Sequence, residues 1–345
     1  MTAAPESPQT QSNPAEPVLQ AVFAFMNTVS LNVAVELEIP DLLASGPRPV
    51  HDLARETKTN EDALYRILRL LVTVGIFTES APRTFANSPA SDTLRKDAPN
   101  STRAMAHFVG DPFHLRVFAE LLYSVRTGRP CVDKVVGMPV FDYFATDKRE
   151  SDVFNAAMVS ISAQVVPAAL EAYDFSGINL LVDVAGGHGS VICPILQKYP
   201  QMRGILTDLQ HVLDSATDCI NSHGVQSRLQ RIPCDFFKSV PEGGDAYLMK
   251  NIIHDWDDEK CLLILKNIAT AMGAKKGKVI LLETVVPPDN APHMSKFLDI
   301  EMLAFPGGKE RTEQEYAELF ARAGFKLTRV VPTKSPFSVV EALRT

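Results

Sequence analysis

The sequence predicts an α/β protein in which a doubly wound, mostly parallel β-sheet follows an all-α N-terminal region with a winged-helix element. Apolar residues recur at helical spacing from residue 17 to about residue 172. From about Leu180 onward, short apolar strands alternate with helical segments. The last two predicted strands are joined only by residues 332–336. Because so short a link cannot return a parallel strand, we expect the sheet to end in an antiparallel strand pair.

The N-terminal region begins with an apolar helix. Apolar side chains recur at helical spacing at its start: Val18, Val22, Met26 and Val29. A helix this apolar at the start of a domain needs a partner surface, such as a second subunit. A short helix over 50–54, an amphipathic helix after the candidate N-cap Asn60 and a hairpin over 75–87 follow. Helix, helix and hairpin in this order predict a winged helix.

The charge of the winged-helix segment bears on whether it binds DNA. Residues 50–96 contain seven Lys or Arg and six Asp or Glu, a balance of +1, and the whole chain carries −7. A duplex-binding face needs a marked excess of basic side chains. We therefore expect the winged helix to be structural, and we expect no nucleic-acid partner.

The composition, 46% hydrophobic and 22% charged residues, is that of an ordinary soluble protein. No uncharged run of 18 or more apolar residues occurs, so no membrane span is expected. Residues 1–16 are rich in Pro, Ser and Gln, which predicts a disordered tail rather than a signal peptide. The five cysteines are scattered without a CxxC pair, which predicts reduced thiols in a cytoplasmic protein and no metal site.

The predicted sheet is built from short apolar segments. Its strands are expected at 180–184, 204–207, 229–233, 247–250, 278–282, 326–331 and 337–341. Single helices are expected over 190–199 and 212–223. Thr312 and Glu315 form a capping box that opens a helix ended by Gly324.

A glycine-rich turn, residues 185–190, follows the first strand and can bring a ligand close to the backbone. A dinucleotide fingerprint would need a third glycine where Ile192 stands, so that interpretation is weak. A ligand with an adenosine end and no pyrophosphate fits better. Asp208, after strand two, can accept hydrogen bonds from both ribose hydroxyls. Asp235 can accept from an adenine amino group, with Phe236 stacking on the ring. Each acid alone is as well explained as a turn or helix cap.

The segment Lys250 to Asp258 places His254 just past the carboxyl end of a parallel strand, where open α/β sheets bind ligands. A neutral imidazole there can accept a proton near pH 7. The residues alone leave alternatives open. His254 can be a helix-start residue, Asp255 a first-turn acid favoured by the helix dipole, and Lys250 a lysine reaching to the surface.

Several segments together resemble the plant-type small-molecule O-methyltransferases that use S-adenosylmethionine, including their bacterial relatives. The matching segments are 181–189, 207–209, 234–237, 250–258 and 306–312. The resemblance covers roughly residues 17–343 and implies a class I methyltransferase Rossmann-like domain. It implies a winged-helix dimerisation domain over 17–115, then a helical linker and catalytic domain over 116–345. It also implies a homodimer whose winged-helix element does not bind nucleic acid.

The resemblance also implies the roles of individual residues. His254 would be the general base, flanked by Glu283 and Glu310, and the acceptor would be a small hydroxylated aromatic. The methyl donor would be held by Ala185, Gly186, Asp208, Asp235, Phe236 and Lys250. The acceptor would lie near Asp255, Met158, Met302 and Phe305.

The chain departs from the family pattern at a few positions. Ala185 replaces the first glycine of the turn, a small change if its φ is negative. Phe305 stands where plant enzymes tend to carry a polar residue, and Asn251 replaces their bulky aromatic, so a plant lignin precursor is not expected. Two alternatives remain: a same-fold enzyme that decarboxylates or hydroxylates a polyketide, and a winged-helix regulator that senses S-adenosylmethionine. The set of His254, Glu283 and Glu310 favours methyl transfer.

Overall fold

The structure, a computed structural model, describes residues 13–345, which divide into two compact units between His114 and Leu115. Most of the predicted tail, residues 1–12, lies outside the described residues. Glu16, assigned to that tail, already belongs to the first helix, so the predicted tail is too long at its end. The Asn13 side chain accepts the Ala15 N–H, and Pro17 occupies the first helical turn, where no backbone donor is needed.

The first unit contains the winged helix. Its helices are α1 (Glu16–Glu36), α2 (Ile39–Leu42), α3 (Val50–Thr57), α4 (Glu61–Thr73), α5 (Pro89–Asp92) and α6 (Arg103–Gly110). Its strands β1 (Arg48–Pro49), β2 (Phe77–Ala81) and β3 (Thr84–Asn87) form an antiparallel sheet in the order β1-β3-β2. The predicted N-cap is confirmed, since Asn60 accepts the N–H of Ala63. The short strand β1 was not predicted, because two residues carry no periodicity.

The second unit begins within α7 (Pro112–Phe118), which spans the division. Its helices are α8 (Leu121–Thr127), α9 (Cys131–Val136), α10 (Val140–Thr146), α11 (Lys148–Ala172), α12 (Ile192–Lys198), α13 (Gln210–Asp214), α14 (Thr217–Ser222), α15 (Asp258–Met272), α16 (Met294–Ala304) and α17 (Glu313–Arg322). Its strands are β4 (Leu180–Val184), β5 (Arg203–Asp208), β6 (Leu229–Pro233), β7 (Ala246–Lys250), β8 (Lys278–Val286), β9 (Arg311–Thr312), β10 (Phe325–Pro332) and β11 (Phe337–Arg344).

The main sheet has the order β10-β11-β8-β7-β4-β5-β6, and β9 pairs with β8. Strands β4 to β8 are mutually parallel, whereas β11 is antiparallel to both β8 and β10. The doubly wound sheet with an antiparallel end is therefore confirmed. The strand order reverses between β4 and β7, and ligands bind beside the carboxyl ends at such a point.

The sheet is buried on both faces, because alternate side chains enter different cores. Leu181, Leu248 and Ile280 pack with α11, α12 and α14, while Val182 and Tyr247 pack with α15 and α17. The two cores therefore fix the positions of the strand ends that carry the site.

Two predicted elements differ from the structure. The single helix over 212–223 is two helices, α13 and α14, and the Arg231 guanidinium donates to Leu213 O and Thr217 Oγ1 at the break. Strand five continues to Val286, because it pairs with β11 and β9. Glu283 therefore lies inside β8 rather than at its end.

Helices α1 and α11 are long and apolar enough to cross a membrane by length and composition alone. This is a weak indication, because core helices of soluble proteins pass the same test. The absence of a membrane span stays a prediction.

Candidate active site

The carboxyl ends of adjacent parallel strands carry the residues expected to hold a ligand. Ala185 follows β4, Asp208 ends β5, Asp235 follows β6 and Lys250 ends β7. Neighbouring strands of the sheet therefore present these residues along one edge, beside the point where the strand order reverses.

The glycine turn after β4 is closely packed at Gly186. A Cβ atom there would lie 2.4 Å from Leu206 Cδ1 and 2.5 Å from Asp183 Oδ2, so space alone requires glycine. Asp208 ties the same turn to β5, because its Oδ2 accepts the Gly187 N–H at 2.9 Å. Its Oδ1 accepts the Leu209 N–H at 2.7 Å. The contacts of Gly186 and Asp208 thus fix the backbone of the turn.

Ala185 has a φ of 55°, so the expectation that its replacement of glycine is a small change rests on a wrong premise. The left-handed region brings Cβ close to the following carbonyl and costs a non-glycine residue roughly 1–2 kcal/mol. The first residue of the turn is therefore strained in a way that a glycine would not be.

We expect Ala185→Gly to relieve this strain. The gain of roughly 1–2 kcal/mol is partly offset by the greater freedom of glycine in the unfolded chain, about 0.4–1 kcal/mol. The net expectation is unchanged or higher stability, measured by urea unfolding. Ala216→Gly, at the αR junction of α13 and α14, is the matched control and should destabilise. A clear loss of stability in Ala185→Gly would contradict the strain.

Charges around this turn are buried and interdependent. Burial, with help from Asp208, raises the pKa of Asp183 to about 8, and Asp183 Oδ2 has no hydrogen-bond partner within residues 13–345. Burial lowers the pKa of Lys250 to about 8, against the opposing charges of Glu283, Asp183 and Asp255. Burial also raises the pKa of Asp208. A buried polar oxygen without a partner is suited to a hydrogen bond with a ligand. Sequence analysis did not single out Asp183.

Asp235 and Phe236 lie in the turn after β6. Asp235 Oδ1 accepts the Phe237 N–H at 3.0 Å, and its Oδ2 lies 3.1 Å from Lys238 Nζ. The Phe236 ring packs near Phe237 and Trp256, with centroid distances of 4.6 and 6.2 Å. Asp235 thus shapes its own turn, as the alternative interpretation had it, and its remaining lone pairs stay available to a ligand.

His254 lies in a 3₁₀ turn, Ile253–Asp255, and is 5% exposed. Its Nδ1 is 2.7 Å from Glu310 Oε1, the distance of a charge-assisted hydrogen bond. A carboxylate accepts, so Nδ1 carries the proton in the neutral ring. Nε2 then keeps its lone pair, with Asp255 Oδ1 at 3.4 Å.

The two glutamates have different positions around the ring. Glu283 Oε1 accepts the N–H groups of Ile252 and Ile253, and its Oε2 lies 3.5 Å from Nδ1. Glu310 is itself held by the Thr284 hydroxyl, which donates to Oε2 at 2.6 Å. Glu310 therefore orients the imidazole, while Glu283 mainly anchors the backbone that carries it.

The charge of this cluster favours a protonated ring. Burial by itself would lower the pKa of His254, but Glu283, Asp255 and Glu310 outweigh it and raise the pKa to about 10. Burial raises the pKa of Asp255 to about 7 and raises that of Glu283 as well. These groups titrate together, and their combined charge raises the pKa of His254 above its usual value of about 6.5.

His254, Glu283 and Glu310 also present ligand atoms within 4.8 Å of one another, close enough to hold a metal ion. The hydrogen bond from Nδ1 to Glu310 already uses the nitrogen that faces both carboxylates. The prediction of no metal site stays a prediction.

The segment 306–312 fixes the position of the histidine turn, a role that sequence analysis missed. A Cβ on Gly308 would lie 1.9 Å from His254 O, and the Lys309 N–H donates to that oxygen at 2.9 Å. Arg311 is 1% exposed and donates to Ile253 O at 3.0 Å and Trp256 O at 3.1 Å. It also donates to Asp258 Oδ1 at 2.7 Å. The sequence did offer one signal for this role, because Arg311 is a basic residue next to Glu310 within the segment 306–312.

The residues expected near the acceptor lie on separate elements of the second unit. Met158 is half-buried on α11, and Met302 is buried on α16. Phe305 is buried just after α16, with its ring centroid 6.0 Å from that of Phe118. Asp255 is next to His254. The contribution of these residues to acceptor binding stays a prediction.

The strand-end residues fit S-adenosylmethionine, the donor that the resemblance implies. Gly186 has no side chain, and Asp183 Oδ2 is a buried polar atom without a partner in the described part of the chain. Asp208 ends β5 and Asp235 follows the adjacent β6. Their carboxylates can accept hydrogen bonds from the hydroxyl and amino groups of an adenosine.

Comparison with known proteins agrees with these features. Residues 118–326 match the O-methyltransferase domain family, and residues 19–97 match the O-methyltransferase dimerisation domain. The chain is 38% identical over 325 residues to a phenazine O-methyltransferase of Lysobacter antibioticus, covering 94% of this chain and 95% of that protein.

Solved structures agree as well. A mitomycin 7-O-methyltransferase has a TM-score of 0.87 at 35% identity, covering 96% of this chain and 97% of that one. An O-methyltransferase from neocarzinostatin biosynthesis, in complex with S-adenosyl-L-homocysteine and 1,4-dihydroxy-2-naphthoic acid, has a TM-score of 0.80 at 28% identity. This second match covers 95% of this chain and 98% of that one. These findings confirm the resemblance, the fold class, the enzyme class and the cofactor. The chain belongs to the O-methyltransferase family with an N-terminal dimerisation domain, whose members use S-adenosylmethionine as methyl donor.

Proposed function

We propose that this enzyme methylates a hydroxyl group of a small aromatic acceptor, with His254 as the general base. The observation that carries the proposal is the 2.7 Å hydrogen bond from His254 Nδ1 to Glu310, which leaves Nε2 as the proton acceptor. S-adenosylmethionine, when bound, supplies an activated methyl group. Ala185, Gly186, Asp208, Asp235, Phe236 and Lys250 are proposed to hold it.

The proton of the acceptor is proposed to pass to His254 Nε2 as the oxygen forms its new bond. A phenol has a pKa near 10, and the carboxylates raise the pKa of His254 to about 10. Proton transfer between groups of matched pKa is nearly isoenergetic. Glu310 and Glu283 then stabilise the imidazolium, as a carboxylate does in a catalytic triad. The enzyme's other contribution is to align the oxygen with the methyl group.

The rate should rise with pH, since the same carboxylates keep His254 protonated at neutral pH. The active complex has one proton fewer, whether the imidazole is neutral or pairs with a phenolate. We expect kcat/KM to rise about tenfold per pH unit from pH 7 toward the His254 pKa of about 10. Glu310→Gln removes one of the carboxylates that raise the pKa of His254, so the rise of kcat/KM should move to lower pH. A flat profile between pH 7 and 9 would contradict a protonated resting ring.

The acceptor class is tested by presenting hydroxylated aromatics with a methyl-labelled donor. Two relatives are named as a phenazine O-methyltransferase and a mitomycin 7-O-methyltransferase, so fused-ring phenols and hydroxyquinones form the first panel. Another relative, from Streptomyces davaonensis, is named as an N,N-dimethyltransferase at 31% identity, so aromatic amines form the second. Label on oxygen supports the proposal, and label only on amines contradicts it. Consumption of acceptor without label would favour decarboxylation or hydroxylation. Donor binding without any turnover would favour a regulator.

We propose that the first unit forms a homodimer. The N-terminal half of α1 exposes apolar side chains, including Val18, Phe23 and Phe25, which are 52–62% exposed. The same unit has an apolar cavity of about 360 Å³, lined in part by Leu31 on α1 and Met105 on α6. Exposed apolar surface of this kind marks a protein interface. The matched dimerisation domain family supports a second copy as the occupant.

The homodimer is tested with Phe23→Asp, which would bury an unpaired charge at the interface. We expect dimer dissociation to become at least about tenfold easier, measured by sedimentation equilibrium. Leu263→Asp, on α15 of the other unit and also exposed, is the matched control and should leave the dimer intact. A wild-type monomer at micromolar concentration would contradict the proposal.

The cytoplasmic location, and the absence of membrane and nucleic-acid partners, are also proposed from charge and composition.

A further inference from the structure

Two cysteines and a histidine outside the active site lie together beside the glycine turn. Cys193 is on α12, Cys219 is on α14, and His223 follows α14. Their two sulfurs and a ring nitrogen lie within 4.8 Å of one another. Both cysteines are free thiols. Cys219 and His223 are four residues apart on one helix face, a spacing that sequence analysis did not single out.

The hydrogen bonds of His223 fix which of its ring nitrogens carries the proton. Its Nδ1 is 2.8 Å from Cys219 O and therefore donates its proton to that carbonyl. Nδ1 therefore has no lone pair for a metal, which leaves Nε2 as the only ring nitrogen that could bind one. The same nitrogen is 3.9 Å from Cys219 Sγ, so the imidazole ring lies beside the sulfur.

The two sulfurs are unequal. The hydrogen bond from Cys193 lowers the pKa of Cys219 to about 6, aided by His223 and opposed by burial. The same hydrogen bond and burial raise the pKa of Cys193. Cys219 is half-buried, whereas Cys193 is fully buried. An accessible thiolate next to a protonated second thiol is the arrangement of cysteines that are oxidised reversibly.

We propose that Cys219 and Cys193 are an oxidation site, at which hydrogen peroxide converts Cys219 to a sulfenic acid and Cys193 closes an intrachain disulfide. The Cys219 thiolate attacks one peroxide oxygen, the O–O bond breaks and hydroxide leaves. The Cys193 sulfur then attacks the Cys219 sulfur. The S–S bond forms, the S–O bond breaks, and the oxygen leaves as water with the Cys193 proton. The two sulfurs give two electrons to the peroxide.

Closure of this disulfide would reach the turn that is proposed to hold the methyl donor. Cys193 donates its N–H to Gly189 O at 3.0 Å, and its sulfur is 3.2 Å from where a Cβ on Gly189 would be. Moving that sulfur toward Cys219 withdraws it from under the turn. We expect the oxidised enzyme to bind S-adenosylmethionine about fivefold or more weakly. This consequence rests on the proposed cofactor site, whereas the disulfide itself does not.

The test uses the reduced full-length enzyme, treated with hydrogen peroxide, alkylated, digested and analysed by mass spectrometry. We expect a peptide that links Cys193 to Cys219, a fall from five titratable thiols to three, and reversal by dithiothreitol. Cys219→Ser should abolish the link. Cys234→Ser, which removes another half-buried thiol, should not. Because Cys193 is buried, Cys219→Ser decides the outcome should a Cys193 variant fail to fold.

Other results would overturn the proposal. One is a folded enzyme that consumes peroxide without forming the linked peptide. Another is stoichiometric zinc that protects the thiols and is lost in Cys219→Ser, which would make the cluster a metal site. Donor affinity is measured by calorimetry before and after oxidation. An unchanged affinity in the linked enzyme would refute the coupling to the turn. Failure of the reduced enzyme to transfer methyl groups would count against the proposed function instead.

Discussion

Replacing His254 with alanine is expected to lower methyl transfer about 10²–10⁴-fold, the usual contribution of a general base. Binding of S-adenosylmethionine should change little, because the strand-end residues that are proposed to hold it are untouched. Single-turnover rates with labelled donor, together with calorimetry, separate these two effects. His51→Ala, at an exposed histidine of the first unit, is the matched control and should retain full activity. Wild-type turnover in His254→Ala would end the assignment of the base.

Glu310→Gln tests the orientation of the same ring without removing it. The Thr284 hydroxyl donates to Glu310 Oε2 at 2.6 Å, so the oxygen of a glutamine prefers that side. Its amino group then faces His254 Nδ1 and drives the proton to Nε2. The tautomer that results cannot accept a proton from the acceptor. We expect kcat to fall with little change in KM, and recovery at Glu310→Asp would show that a carboxylate is what matters.

Replacing Arg311 with methionine is expected to have the largest effect on stability. The guanidinium satisfies Ile253 O, Trp256 O and Asp258, and it is almost fully buried. Removing it leaves these acceptors without their partner. A hydrogen bond to a charged group contributes about 1.5–3 kcal/mol, so losing the bonds to the two carbonyls costs about 3–6 kcal/mol, and the half-buried Asp258 adds little. The free energy of unfolding, measured with urea, should fall by this amount.

The controls for Arg311 lie in the same network. Arg311→Lys keeps the charge but cannot bridge two carbonyls and a carboxylate, so we expect a smaller loss of stability. Arg322→Met removes an exposed guanidinium 3.9 Å from the same Asp258 and should change stability by no more than about 0.5 kcal/mol. Because its two carbonyl partners flank His254, Arg311→Lys should also lower kcat more than it raises KM. An unchanged kcat in Arg311→Lys would show that Arg311 contributes to stability alone.

Much of the fold was predictable because its signals are local. Strand β6 was predicted at its observed bounds, and the capping box of Thr312 and Glu315 is confirmed with both reciprocal hydrogen bonds. Apolar periodicity and cap spacing involve residues within one element. The break between α13 and α14 was missed because the guanidinium at that break, Arg231, comes from a different strand.

The candidate site was predictable as a list of residues rather than as a geometry. Strand ends pointed to Asp208 and Lys250, because parallel strands bring their carboxyl ends to one edge. Nothing in the spacing of residues separated Glu283 from Glu310 as the partner of Nδ1. The contact that decides it joins residues 56 positions apart.

The sequence by itself determined the order of strands and helices along the chain and the strand-end location of the candidate site. These follow from periodicity and from the polarity of parallel strands, whereas the candidate base came from the resemblance to a known family. Only the tertiary structure decided the positive φ of Ala185, the burial of Arg311 beneath the histidine turn, and the meeting of Cys193 with Cys219. Each of these depends on how distant segments pack, and packing between distant segments leaves no periodic signal along the chain.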